Sequence, residues 1–293
     1  AAVGSTTALI NVFTNLFIGI SLGANVLAAR FYAAGREKEM SETVHTAITF
    51  AIISGVVMAL VGLFFSRGAL ELMGTPDNVI NLSTIYMKIY FLGMPFFMLY
   101  NYGAAILRAV GDTKRPLLFL IVAGVINACL NLLLVIAFHL GVAGVAIATV
   151  TAQAIVMSIM IVGIVIQKKE NVLKGTRLLA KIPRKYLQGI CKIGIPTAIQ
   201  GMAYCAISMV LTRMISGYGA EAVATQRVGG QIESISWNTA DGFAAALNAF
   251  IAQNYGAGRN DRVRKGYKAS LWTVGIWGLL ISAVFICVPE PIA

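Results

Sequence analysis

Charge is what this sequence has least of. Only 12% of its 293 residues are Asp, Glu, Lys or Arg, about half the share of an ordinary soluble domain. A soluble single-domain enzyme is thereby excluded. Histidine is scarcer still: two residues, His45 and His139, are too few for a zinc or haem site. Four cysteines, Cys129, Cys191, Cys205 and Cys287, stand apart in apolar runs without CxxC spacing. They read as small buried hydrophobes, not as disulfide partners or metal ligands. The nucleophile elbow GxSxG, the zinc motif HExxH and the Gly-rich phosphate loop are all missing. No catalytic residue, metal or cofactor is expected.

Apolar residues are plentiful. At 58% of the chain they number about 170, enough for about eight bilayer-spanning helices of ~20 residues each. Runs between charged or Gly/Pro-rich breaks give eight candidate cores: 5–29, 44–66, 85–107, 116–138, 143–166, 189–214, 223–252 and 267–288. The expected fold class is all-α, a polytopic membrane helical bundle.

Lys and Arg outnumber Asp and Glu by 23 to 12. In a soluble chain that excess would suggest nucleic acid, but here 19 of the 23 basic residues fall in alternate loops. One missed or extra span would scramble that alternation. By the positive-inside rule these loops face the cytoplasm of a bacterial-type inner membrane, and no nucleic-acid partner is implied. The longest of them, 168–187, interleaves basic residues with Val172, Leu173, Leu178, Leu179 and Ile182. Two readings are open: a surface helix on the anionic inner leaflet, or a solvated linker.

A repeat links the two ends of the chain. Residues 25–36, NVLAARFYAAGR, align without gaps with 248–259, NAFIAQNYGAGR, and Asn25/Asn248, Tyr32/Tyr255, Gly35/Gly258 and Arg36/Arg259 are identical. Each copy closes a span with Tyr-x-Ala-Gly-Arg, where Gly suits a left-handed cap and Arg complements the negative helix end. The copies lie six spans apart, so they run in parallel, as in repeats related by an axis along the membrane normal. Counting the missing mates, one before residue 1 and three after residue 293, predicts a twelve-helix parent with two six-helix lobes. The lobes here are 1–167 and 188–293, joined by the basic linker.

Polar residues inside spans are the functional candidates. In the seventh span Ser234, Asn238, Asp241, Ala245 and Asn248 share one helical face, and their repeat mates include Asn11, Asn15 and Asn25. Two such stripes suggest helices facing a shared cavity; interhelical hydrogen bonding is the alternative. Glu233 and Asp241 are the acids well inside spans, where an Asp costs about 2.5–3.5 kcal/mol, and they are candidates for proton or cation coupling. Asn127 and Asn131, at i and i+4, could offer amide oxygens to Na⁺ but cannot take up a proton. Pro95 and Pro196 remove backbone hydrogen bonds within spans. Near Pro95, Met98 and the Leu99–Tyr100 pair could line an adaptable cavity or simply be core.

The paired helix ends, ILRAVGDTKRP (106–116) and LGVAGVAIATVTAQ (140–153), resemble the multidrug and toxic compound extrusion (MATE) transporters over essentially the whole chain, matching their second to ninth helices. The resemblance implies a two-lobed antiporter, a monomer, exporting cationic or amphipathic compounds in exchange for Na⁺ or H⁺ by alternating access. Three departures stand out. The family's first helix, which often carries a coupling acid, is absent. The fifth-helix pattern Asn-x-x-x-Asp is Asn127 and Asn131 here. Where some members place a Glu in the seventh helix, the nearby polar residue is Gln200. A lipid-linked oligosaccharide flippase and a non-transporting scaffold or sensor remain alternative readings.

Overall fold

The computed structural model describes residues 2–72, 75, 77–166 and 182–287. All regular structure among them is helical: α1 (Ala2–Ala33), α2 (Glu37–Leu72), α3 (Asp77–Leu92), α4 (Met94–Ala109), α5 (Lys114–Leu132), α6 (Gly141–Ile166), α7 (Arg184–Ser216), α8 (Ala220–Gly256) and α9 (Asn260–Cys287). A π-helical turn, Leu133–Ala137, continues α5. Most of the basic loop 168–187 lies outside the described residues.

Six of these helices are long and apolar enough to cross a membrane, and α3 with α4 forms a seventh, broken span. The helix at the remaining predicted position is α8, which falls short because Gln226, Gln231, Glu233, Ser234, Asn238 and Asp241 dilute its apolar residues. The bend between α3 and α4 is 46°. It falls at Gly93, with Pro95 entering the first turn of α4, where a missing N–H costs least. A side chain at Gly93 would meet Val150 of α6, and one at Gly55 of α2 would meet the Pro95 backbone. The kink is therefore seated between two helices. Pro196 has no such consequence, since α7 runs through it unbroken.

At the centre stands α1, packed against α2, α3, α4, α7 and α8. Its contact with α7 is a small-residue crossing. A Cβ on Gly19 would lie 2.6 Å from the Ala198 Cα, and one on Gly194 2.6 Å from the Ile20 Cα. Gly19 and Gly23 on one helix face Gly194 and Ala198 on the other, each pair four residues apart. That spacing brings backbones together where lipid supplies no hydrophobic drive.

Three helices end alike at the basic end of the bundle. Gly35, Gly111 and Gly258 have φ of 67°, 91° and 71°. After each, the next amide reaches back five residues: Arg36 N–H to Phe31 O, Asp112 N–H to Leu107 O, and Arg259 N–H to Asn254 O. These are Schellman caps, which satisfy carbonyls that a helix end leaves open. A Gly258→Val substitution forces a β-branched residue into the left-handed region and is expected to cost about 1–3 kcal/mol, read as a lower Tm.

Candidate functional site

The candidate residues fall into separate groups. On α5, the Asn131 amide donates to Asn127 Oδ1 (2.9 Å) and the Asn127 amide to Thr149 Oγ1 of α6 (3.2 Å). Thr149 donates to the Val145 carbonyl (3.0 Å). Asn131 Oδ1 is buried and accepts no hydrogen bond among the described residues. The π-helical turn starts two residues beyond Asn131. Two amides and a hydroxyl make a neutral set of oxygen donors of the kind that suits a hard cation.

The second group lies on α8 and its neighbour α7. Glu233 Oε1 accepts from the Trp237 indole N–H at 2.8 Å, and the Trp237 ring tilts against Tyr204 of α7, centroids 5.2 Å apart. Glu233, Asn238 and Asp241 are exposed, as is Gln200 on α7. Asp241 and Asn238 have no hydrogen-bond partner among the described residues.

Two asparagines of the α1 stripe are bonded to helices other than α8. On α1, the Asn15 amide donates to Cys205 Sγ of α7 (3.3 Å). Fully buried Asn25 donates to the Ala105 carbonyl of α4 (2.6 Å). Both therefore hold helices together, the packing alternative open to them from sequence. Near the basic end a cavity of about 210 Å³ between α1, α7 and α8 is lined by Asn248 of the α8 stripe and by Arg30 of α1, which lies off the α1 stripe.

Other expectations are corrected by packing. Met98, a cavity candidate for which the sequence left the core reading open, is fully buried in the core with Met94 and Tyr102, and Leu99 packs against that core. Tyr100 is tied to α5 through its hydroxyl, which donates to the Pro116 carbonyl (3.1 Å). The kink at Pro95 turns this segment inward, so its sulfur and aromatic surface serves packing. Cys129 and Cys287 are exposed rather than buried, because among the described residues no helix covers the faces of α5 and α9 that carry them. All four cysteines are free.

Among the helix-end residues, Arg36 pairs with Glu39 (Nε to Oε1 2.9 Å) and lies over the Phe31 ring. Tyr32 and Arg259 are exposed. Tyr255 receives the Arg30 guanidinium, 5.2 Å from its ring centroid.

Sequence reasoning missed Thr149, Trp237, Tyr204 and Gln253. Trp237 stands four residues after Glu233, a spacing that puts them on one face and could have flagged the pair. The partners on α6 and α7 had no such signal, because their pairing depends on which helices meet.

No group of three or more His, Cys, Asp or Glu positioned for a metal occurs among the described residues.

The family model MatE matches residues 1–133 and 196–293, and each matched stretch holds one copy of the helix-end motif. The chain is 31% identical to the probable multidrug resistance protein YoeA of Bacillus subtilis, over 98% of this chain and 63% of that protein. It is 24% identical to an FAD transporter of Shewanella oneidensis, covering 100% of this chain and 65% of that protein. The multidrug export protein MepA of Staphylococcus aureus is 26% identical over 92% of this chain and 59% of its own length. A crystal structure of MATE in the bent conformation superposes with a TM-score of 0.88 at 20% identity, covering 99% of this chain and 65% of that one. The chain thus spans somewhat under two thirds of the length of these relatives.

Proposed function

The chain belongs to the MatE family, and from that premise we propose that it acts in a secondary antiporter exporting cationic or amphipathic organic compounds against an inward flow of Na⁺ or H⁺. The observation that carries this reading is α8. Among the described residues it is the one long helix too polar to pass as a span, and it presents Glu233 and Asp241 on an exposed face. A carboxylate at that depth is retained against a cost of about 2.5–3.5 kcal/mol, which fits a group that binds and releases a cation on each cycle. The multidrug names of the Bacillus and Staphylococcus relatives point the same way.

In this reading, residues 1–167 and 188–293 belong to two lobes that rock about their shared contact, with 168–187 as a basic linker. The protein works as a monomer in a cytoplasmic membrane, with its basic loops inside against the anionic leaflet. The small-residue crossing of α1 and α7 and the capped ends of α1, α4 and α8 close the basic end. Substrate then enters from the cytoplasm only when those contacts part. Asp241 exchanges drug for ion. The Asn127–Asn131–Thr149 ladder holds a metal cation by neutral oxygens, since none of its members can take up a proton in the physiological range. A pyrophosphate-linked flippase substrate would need several cations inside the spans, and the stripes of α1 and α8 carry Asn11, Asn15, Ser234, Asn238 and Asp241 instead.

Cells expressing the full-length protein are expected to accumulate less ethidium than cells without it, and collapse of the ion gradients is expected to erase the difference. Equal accumulation of several cationic dyes with and without the protein would refute export.

A further inference from the structure

We propose that the cavity between α1, α7 and α8 at the basic end binds the phosphate or carboxylate head of an amphipathic anion. The inference starts from how the repeat breaks its own symmetry. Asn25 is the mate of Asn248, and Arg30 is the mate of Gln253. One member of each pair is spent on α4: Asn25 donates to the Ala105 carbonyl and Gln253 to the Ala109 carbonyl (2.6 and 2.7 Å). The other two, Asn248 and Arg30, line the cavity. Neither side chain has a hydrogen-bond or ion-pair partner among the described residues.

Arg30 is held for binding. The Gly256 backbone of α8 packs directly against the Arg30 carbonyl, so the two helix backbones touch at that level. The guanidinium lies over the Tyr255 ring at 5.2 Å. A stacked guanidinium keeps its N–H edge free for a planar or tetrahedral oxyanion, which it can meet with two parallel hydrogen bonds. Asn248 adds an amide donor. Val26, Ile193 and Ile251 form an apolar wall, and no carboxylate lines the cavity among the described residues. The volume, about 210 Å³, equals roughly seven waters' share of liquid. That admits an anionic head with a short apolar portion beside it.

The sign of charge sets this site apart from drug export, because Arg30 repels the cationic compounds proposed as cargo. A bound anion bridges α1 to α8 and braces the closed end. The head could arrive on a membrane lipid or on a soluble amphiphile, and the two are separable.

The test is ligand-induced Tm elevation of the purified full-length protein in neutral detergent, titrated with dodecyl phosphate, phenyl phosphate, inorganic phosphate and dodecyltrimethylammonium. At least one organic phosphate is expected to bind ten times more tightly than inorganic phosphate, and the ammonium compound to give no such shift. Binding of dodecyl phosphate alone identifies a lipid-type ligand, and binding of phenyl phosphate identifies a soluble one. Arg30→Gln, which installs the residue of the repeat mate, is expected to weaken binding about ten- to a hundredfold. Should that variant fold poorly, Asn248→Leu is expected to weaken binding without touching the charge, and Arg30→Lys to retain part of it. Equal binding of dodecyl phosphate by wild type and by Arg30→Gln and Asn248→Leu would overturn the site. So would equal binding of inorganic phosphate, or of the ammonium compound. All these readouts are binding, so a failed ethidium assay would leave them unaffected.

Discussion

A Gly23→Leu variant is expected to lose export entirely and to melt well below the wild type. A Cβ at Gly23 would run into the Ile190 carbonyl and lie 2.8 Å from the Gly194 amide nitrogen. Both obstacles are backbone, so no rotamer change makes room. Overpacking a tight core costs about 1–3 kcal/mol when side chains can shift, and separating two helices costs their neighbouring contacts as well. Here those contacts include Gly19 on Ala198 and Ile20 on Gly194. In the proposed two-lobe reading the same crossing joins α1 of one lobe to α7 of the other, so the loss is expected to reach the movement between them. Gly124→Leu on α5 supplies the control. Nothing lies within 4 Å of a Cβ there, and its Tm and export are expected to match the wild type, within the ±0.5 kcal/mol usual for surface changes. If Gly23→Leu and Gly124→Leu behave alike in thermal unfolding and dye export, the α1–α7 crossing is not the joint described.

The second large effect is expected at Asp241. Asp241→Asn preserves shape and removes the charge, and the initial rate of ion-driven ethidium export is expected to fall tenfold or more. Asp241 lies deep within α8, on an exposed face, with no hydrogen-bond partner among the described residues. Its charge therefore remains available to a cation. Glu233 differs. Its Oε1 is already engaged by the Trp237 indole at 2.8 Å, so Glu233→Gln keeps an acceptor for that bond and is expected to lose only a few-fold in rate. Initial export rates of the two variants at matched expression check this order. A silent Asp241→Asn beside an inactive Glu233→Gln would transfer the coupling role to Glu233.

The helix positions were legible because apolar run length and alternating loop charge are local signals. The break at Pro95 was legible too, but its contrast with Pro196 was not. Both residues remove a backbone donor, and the difference is that Gly93 and Gly55 let neighbouring helices close on the first kink. The repeat carried more than composition could, since identical residues at 25–36 and 248–259 end two parallel helices with the same caps. What the repeat could not show is which member of each pair would be spent on α4. Asn25 and Asn248 are identical in sequence and differ in fate, because only Asn25 lies against the Ala105 carbonyl. Met98 stayed undecided between cavity and core for a related reason. A Met beside a kink suits a cavity or a core equally well, and only the packing of α1, α2 and α4 around it decides. Thr149 and Tyr204 escaped notice because their significance comes entirely from a partner on another helix.

Export coupled to a counter-ion is tested most directly in sealed proteoliposomes of the purified full-length protein, with ethidium outside and either a Na⁺ or a pH gradient imposed. An outward-directed ion gradient is expected to drive ethidium into the lumen against its own gradient. Dissipating that gradient, or replacing wild type with Asp241→Asn, is expected to stop the accumulation. Ethidium that merely equilibrates across the membrane, at the same rate with and without either gradient, would contradict antiport.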